Sequence, residues 1–489
     1  MKTFNTAGPC HPHLHYMLSA TERIPDAREY ITYGEYFVLH APRQSGKTTS
    51  LDALATQLTA EGTYAALRFS CETAEPLRED FPAVEKLVLD SIRSAARWAL
   101  PADAQPPDHW PDAESGGRLV AGLSKWAARC PRPLVLFFDE IDALQGRSLI
   151  SVLRQLRDGY TADRARFVHS IALCGLRDVT DHQTATGDDR NRLTSHPFNI
   201  TVASIRLADF DETEVRTLYA QHTAETGQEF TTRAVDLAYH YSAGQPWLVN
   251  ALASEVIRRM KIRTTITDDH IDEAKERLIL ARATHLDSLV ARLNEPRVQH
   301  VIEPLIAGTL IDPDSTFDDA VSYLRDLGLI ADDKSVRIAN PIYNEVIVRV
   351  LGTGIEDNVT ATPASFRFPD GRLDFPRLLR EFTRFWIEHG EILTSKQAYH
   401  EVAPQLVLMA YLHRIINGGG FVDREYGLGR GRIDLLIRQP YVDTEGKREV
   451  QREAIEIKVR RSGYTDPTDE GLHQLDGYLD RLGWTPASS

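Results

Sequence analysis

The chain has 489 residues, 42% of them hydrophobic, and 70 acidic against 56 basic side chains give it a net charge of −14. That length sets a prior of about three domains with real cores, and the acidic balance excludes a protein that coats nucleic acid by bulk charge, leaving only a local basic groove for such a role. Cys10, Cys71, Cys130 and Cys174 are widely spaced with no Cys-x-x-Cys pair, and there is neither a signal pattern nor a long apolar run; reduced thiols, a cytoplasmic location and no membrane contact are expected.

Near the N-terminus His11, His13 and His15 alternate. In an extended strand they would share one face, but no further metal ligands are identifiable and an ordinary polar segment is expected. From about residue 29 to 207, short apolar runs alternate with amphipathic stretches: Tyr36 to His40, Tyr64 to Ser70, Leu134 to Phe138, Phe167 to Leu173 and Ile200 to Leu207. This alternation predicts a parallel sheet covered by helices. From Asp211 to about Ile279 the pattern turns helical, with Leu218, Leu237, Leu248, Leu252 and Val256 at core spacing, and predicts a small lid. Three helical stretches follow between Leu280 and Leu351, with a polar turn at Asp332 to Ser335 between Ile330 and Val336, the pattern of a winged helix. Gly352 to Asp374 has weak periodicity and reads as a linker. An aromatic helix around Phe382, Phe385 and Trp386, a second helix near Gln397 to Ile416 and strand-like alternation complete the chain. The predicted domains are 1–207, 208–279, 280–352, a linker at 353–374, and 375–489.

The segment Ala41-Pro-Arg43-Gln44-Ser45-Gly46-Lys47-Thr48, followed by Thr49, lies between the first strand and a helix bearing Leu51, Leu54 and Leu58. A helix starting after Ser45 presents the N–H groups of Gly46, Lys47 and Thr48 to phosphate; Lys47 would bridge β and γ phosphates and Thr48 would offer its hydroxyl to Mg²⁺. Ala41 stands where such loops begin with glycine, a small departure. The buried run Leu134 to Phe138 delivers Asp139 and Glu140 at its end. Asp139 would hold Mg²⁺ through water, and Glu140 would orient or deprotonate the attacking water. The next strand ends in Gly175-Leu-Arg177, which makes Arg177 the candidate sensor of the γ phosphate, with a surface salt bridge as the alternative.

These motifs, with Ser195-His-Pro-Phe-Asn199 and Gly244-Gln-Pro246, resemble the STAND and archaeal-type group of AAA-like P-loop ATPases. The resemblance implies ATP and Mg²⁺ as cofactors, Gly244 and Pro246 beside the nucleotide, a winged helix after the lid, and an N-terminal segment with Tyr16 and Arg23 against the adenine. Arg190 and Arg192 read as a solvated charge run; an arginine finger in a homo-oligomer is the alternative.

After residue 395, Gly431-Arg-Ile-Asp434 places a carboxylate on one strand, and Ala454-Ile-Glu456-Ile-Lys458 places a carboxylate and an ammonium on one face of another. A hairpin with its tip between Tyr441 and Arg452 would set them side by side, with Glu401 as a third metal ligand. With Gln474-Leu-Asp-Gly-Tyr478, this resembles the RecB-like branch of the PD-(D/E)XK nuclease superfamily, whose core continues into another strand, so a domain truncated at that edge is expected. Arg424, Arg430, Arg432, Arg460 and Arg461 would contact DNA phosphates or form a solvated rim. The fold class implied is α/β: a P-loop NTPase parallel sheet with helical lid, a winged-helix domain and a C-terminal α/β restriction-endonuclease-like domain. The function implied is an ATPase that regulates a metal-dependent DNA nuclease, with defence against foreign DNA as its expected role; the alternative is an ATP-switched sensor or DNA-binding scaffold with an inactive nuclease-like domain.

Overall fold

A computed structural model of the protein describes residues 1–175, 200–281, 291–293, 295–306, 319–333, 336–356, 366–395, 403–416, 420–428, 431–443 and 446–455. The chain divides into two compact units, Met1–Leu278 with Tyr323–Gly328, and Ile279–Ser322 with Leu329–Ser489.

In the first unit, helix α1 (Pro25–Thr32) leads into strand β1 (Tyr36–His40), followed by α2 (Lys47–Ala60), β2 (Ala65–Ser70), α3 (Phe81–Ala99), α4 (Arg118–Arg129), β3 (Leu134–Asp139), α5 (Gly146–Ala162), β4 (Ser170–Gly175) and β5 (Thr201–Arg206). The strands form one parallel sheet in the order β2-β3-β4-β1-β5. Every residue of β3 and β4 is buried, as a sheet covered on both faces requires, whereas the edge strand β5 is only partly covered. The two-residue period of each strand sorts side chains into two cores. Tyr36, Val38, Leu136, Phe138 and Leu173 pack against α3, α4 and α5, while Phe37, Leu39, Val135, Phe137 and Ala172 pack against α1 and α2.

The first of these layers encloses a buried carboxyl group, that of Glu85 in α3. It accepts from the Gly116 N–H at 2.9 Å, Ser151 Oγ at 3.0 Å and Gln155 Nε2 at 2.9 Å. The Oε1 of the same Gln155 accepts from Leu119 and Val120 N–H in the first turn of α4, at 2.8 and 3.2 Å. One polar cluster thus fastens three helices and supplies the cap that α4 lacks from its own N-cap residue, Gly117.

Four helices follow in the segment expected to form a lid: α6 (Glu212–Thr226), α7 (Thr232–Ser242), α8 (Pro246–Ser254) and α9 (Asp268–Leu280). Each of the first three starts at a side-chain cap. Asp211 forms a capping box with Glu214, Thr231 accepts from Ala234 N–H, and Gln245 accepts from Leu248 N–H. The N-terminal segment pairs Thr3 with His15, packs Phe4 against Tyr16 and Tyr219, and donates from Cys10 N to Thr49 Oγ1 at 3.0 Å. Residues 11–15 form a turn, with both Leu14 and His15 N–H donating to His11 O, so the three histidines do not line one face of an extended strand. Among the described residues no group of three or more metal-ligating side chains occurs.

The second unit contains α10 (Pro296–Ile306), then α11 (Asp319–Asp326), which runs into the first unit, a short antiparallel pairing of Ile330 with Ile338, and α12 (Pro341–Glu356). Residues 366–374, at the end of the expected linker, form a turn whose Leu373 exchanges two hydrogen bonds with the Gln451 side chain. Helices α13 (Phe375–Ser395) and α14 (Ala403–Ile416) precede an antiparallel sheet of β6 (Phe421–Leu428), β7 (Gly431–Val442) and β8 (Arg448–Ile455). Among the described residues no helix is long and apolar enough to cross a membrane.

Replacing Glu85 with Ala removes the acceptor of three donors, of which that of Gln155 is buried and those of Gly116 and Ser151 are within reach of water; a buried donor left unsatisfied costs about 1–3 kcal/mol. We expect a loss of about 1–3 kcal/mol in the stability of the first unit, read from urea unfolding; an unchanged midpoint would show that the cluster is dispensable.

Candidate active site

The C-terminal ends of parallel strands gather the groups that the sequence spreads far apart. After β1 the chain turns through residues 41–46, with Gln44 at φ 59° and Gly46 at φ 97°, directly into α2. Ser45 Oγ donates to Pro42 O at 2.9 Å and closes this turn. No side chain caps α2, so its first N–H groups and the positive end of its dipole face the loop. Lys47 Nζ donates to Ala41 O at 2.6 Å and Pro42 O at 2.8 Å, which folds the ammonium over the loop. Burial lowers its pKa, and the nearby Cys174, Asp142, Asp139 and Glu140 oppose that shift. Ala41 is buried and is not among the positive-φ residues, so a methyl group fits where glycine is usual. Arg43 and Gln44 are exposed on the loop.

Strand β4 lies between β1 and β3, so Asp139 reaches the loop from two strands away. Thr48 Oγ1 donates to Asp139 Oδ2 at 2.8 Å, and Glu140 N–H donates to Asp139 Oδ1 at 3.1 Å. Arg68 Nη1 is a further donor to Oδ2 at 3.4 Å. Asp139 is therefore buried with both oxygens engaged. The Cys174 thiol, bonded to Asp139, is held well above its ordinary pKa, first by burial and then by the Asp139 charge. Glu140 leaves the strand at φ 57°, a left-handed conformation uncommon outside glycine that turns the chain sharply after Asp139. Ser70, paired with Asp139 in the sheet register, donates to Glu140 Oε2 at 2.5 Å. Burial raises the Glu140 pKa, Asp139, Glu72 and Asp142 add to the rise, and the Ser70 hydrogen bond counters it.

The helices after β5 meet the loop through Arg23 and the 243–246 turn. Arg23 donates to Ser45 O at 3.0 Å and to Ala208 O, and stacks over Phe210 at 4.7 Å. Gly244, at φ 80°, exchanges main-chain contact with Phe210, whose N–H donates to Gly244 O at 2.9 Å. A Cβ on Gly244 would fall 1.8 Å from Phe210 O, so no other residue fits. Beside this turn a cavity opens, lined by Gln44, Gly46, Thr49, Pro246 and Asn250 and roofed by the N-terminal segment, including Tyr16.

The structure thus brings together Ser45, Gly46, Lys47, Thr48, Asp139 and Glu140, with Thr49 and Pro246 at the adjoining cavity. Gly244 is set back from the cavity lining and serves the turn. Arg177, Arg190, Arg192, Glu401, Glu456 and Lys458 lie outside the described residues, as do the Ser195 to Asn199 and Gln474 to Tyr478 segments. Asp434 is placed only by its backbone in β7, one residue before the Leu435–Ile455 pair. Sequence reasoning missed Ser70 and Arg68. The signal for Ser70 was its position at the end of a strand, but its pairing with Asp139 depends on strand order, which sequence does not display.

Residues 21–167 match the family described as AAA ATPase domain. No curated protein matches the chain. Among solved structures, a Walker-type ATPase of Pyrococcus abyssi is similar at 15% identity and a TM-score of 0.48, over 70% of this chain and 99% of that one. Cdc6p of Pyrobaculum aerophilum is similar at 13% identity and 0.39, over 71% and 89%. The Holliday junction branch migration motor RuvB of Thermotoga maritima is similar at 14% and 0.35, over 67% and 92%. The family match and the loop geometry together make the first unit an AAA-like P-loop ATPase.

Ser70→Ala removes the hydrogen bond that favours the Glu140 carboxylate, so the Glu140 pKa rises further. A base works only when deprotonated; the acid limb of the ATPase pH profile should therefore move to higher pH. A limb that stays in place would separate Ser70 from the titration of Glu140.

Proposed function

We propose that the protein binds ATP with Mg²⁺ at the residue 41–48 loop and hydrolyses it, and that this cycle governs a C-terminal nuclease-like unit. The observation that carries the first part is the 2.8 Å bond between Thr48 and Asp139, beside a Glu140 with a raised pKa. A hydroxyl and a carboxylate meeting at the mouth of the loop form the hard oxygen donor set that suits Mg²⁺. When bound, the ion would neutralise charge on the phosphates. Thr48 and Asp139 would hold it. The N–H groups of Gly46, Lys47 and Thr48 bind phosphate, and Lys47 adds a cation that its loop carbonyls already hold in position. Glu140 orients a water and takes its proton; its raised pKa strengthens it as a base, and Ser70 holds the side chain on the sheet side of the site. The cavity between the N-terminal segment and α8 takes the base. The finer placement in the STAND and archaeal-type group, with Gly244 and Pro246 setting the lid, a winged helix over 280–352 and a homo-oligomer supplying an arginine finger, rests on the sequence resemblance.

For the C-terminal unit, the support is the antiparallel hairpin of β7 and β8, whose tip at 443–447 falls inside the expected interval and whose last described pair is Leu435 with Ile455. Asp434 and Glu456 adjoin that pair in sequence. With Glu401 as a further ligand, they are the metal-binding residues of the proposal, Lys458 assists attack on a DNA phosphodiester, and the neighbouring arginines contact DNA.

Lys47→Ala should abolish tight ATP binding, whereas Glu140→Gln should bind normally and hydrolyse about 10²- to 10⁴-fold more slowly. Nucleotide titration and phosphate release separate the two; equal defects in both variants would dissolve the division of roles. Plasmid cleavage in Mg²⁺ or Mn²⁺, with and without ATP, tests the second part: Asp434→Asn should lose cutting and keep ATPase activity. Cutting that survives the substitution refutes Asp434 as a ligand, and no cutting by the unmodified chain favours the sensor or scaffold.

A further inference from the structure

We propose that Arg68 is a positioning residue that sets how strongly the Thr48–Asp139 pair takes up Mg²⁺, by holding a positive charge divided between Asp139 and Asp52. The inference rests on the nucleotide reading above and concerns the same site. Arg68 stands opposite Phe137 in the β2–β3 register, two residues before the Ser70–Asp139 pair. Side chains alternate along a strand, so Arg68 and Asp139 share the face of the sheet on which Phe137 packs against α2. Asp52 lies in α2 four residues after Thr48, one turn along the same side of that helix. Helix and sheet thus face each other with a hydroxyl and a carboxylate on one side and a guanidinium and a carboxylate on the other.

The bonds among these groups form a chain. Thr48 Oγ1 donates to Asp139 Oδ2 at 2.8 Å, Arg68 Nη1 approaches the same oxygen at 3.4 Å, and Arg68 Nε donates to Asp52 Oδ1. A planar guanidinium carries its donors in a fixed fork, so it serves two carboxylates at once, and a move toward one draws it from the other. At 3.4 Å the Asp139 contact is longer than an ordinary N–H···O bond, whereas the Asp52 contact is short. Asp52 therefore holds the cation back from Asp139. Burial lowers the Arg68 pKa, but the Asp52 hydrogen bond and the charges of Asp52, Asp139 and Glu140 outweigh it, and the net shift is upward. A fixed cation beside Asp139 Oδ2 repels a metal ion drawn to that oxygen, and the repulsion grows as the guanidinium closes in. A tie that only fastened α2 to the sheet would be lost equally with either partner.

The test is equilibrium titration of the full chain with ATP in EDTA and in saturating Mg²⁺, and the quantity read is the ratio of the two affinities. Damage to packing lowers both affinities and leaves the ratio in place. Arg68→Gln should enlarge the ratio about fivefold or more, because a repelling charge is gone. Asp52→Asn should reduce it about threefold, because the released guanidinium closes on Asp139. In the double variant the Asp52 change should add nothing to that of Arg68, since its effect passes through the arginine. Shifts in one direction for both single variants, an unchanged ratio in either, or additive effects in the double variant overturn the proposal. If Arg68→Gln does not fold, Asp52→Asn, whose side chain is 43% exposed, decides alone, and an unchanged or enlarged ratio there overturns it. An unmodified chain whose ATP affinity gains nothing from Mg²⁺, or ATP binding that Lys47→Ala leaves unchanged, would instead overturn the nucleotide site itself, and the role of Arg68 with it.

Discussion

The contact between Thr48 and Asp139 organises the first unit, because each partner is useless alone. The hydroxyl sits in the first turn of a helix whose start is set by a left-handed glycine, and the carboxylate ends a strand separated from that helix's own strand by β4. Their meeting at 2.8 Å requires that all three strands end at nearly one level. The in-step pairing of His40 with Gly175 and of Phe138 with Leu173 supplies that level. Burial on both faces of β3 and β4 keeps the register from slipping, since a one-residue shift would exchange the two cores.

Around Asp139 the donors exceed what a surface carboxylate would attract. Thr48, Arg68 and the Glu140 N–H donate to it, while among the described residues Glu140 next door has one side-chain donor, Ser70. Two adjacent acids thereby acquire different chemistry from their surroundings. One carboxylate is surrounded by hydrogen-bond donors, and the other is made proton-hungry by burial and by its neighbour's charge.

Much of this was legible in the sequence because the loop motif and the apolar run before Asp139 are local patterns with a mechanism attached. The strand at Tyr36 to His40 and the helix after Gly46 fall where the pattern puts them. What was not legible depends on which strand lies beside which. Ser70 is an ordinary strand-end serine until β2 pairs with β3. The alternating histidines, read from the sequence as an ordinary polar segment, lie in a tight turn at His11 that satisfies the backbone locally. In the second unit, the β7–β8 hairpin followed from strand alternation on either side of a polar tip, while residues 366–374, weak in periodicity, dock through one glutamine that no pattern marks.

Gly244 invites being taken for a swivel, since glycine frees the backbone. Its surroundings give it the opposite mechanical character. With Phe210 O occupying the space where a side chain would stand, and a main-chain hydrogen bond joining the two residues, 210 and 244 form a weld. Any rocking of the lid must carry both as one rigid piece. The compliance then has to reside in the three residues between the end of β5, at Arg206, and Phe210, a short lever arm that Arg23 grips at Ala208. Torque from the loop would thus be delivered to the lid through a guanidinium.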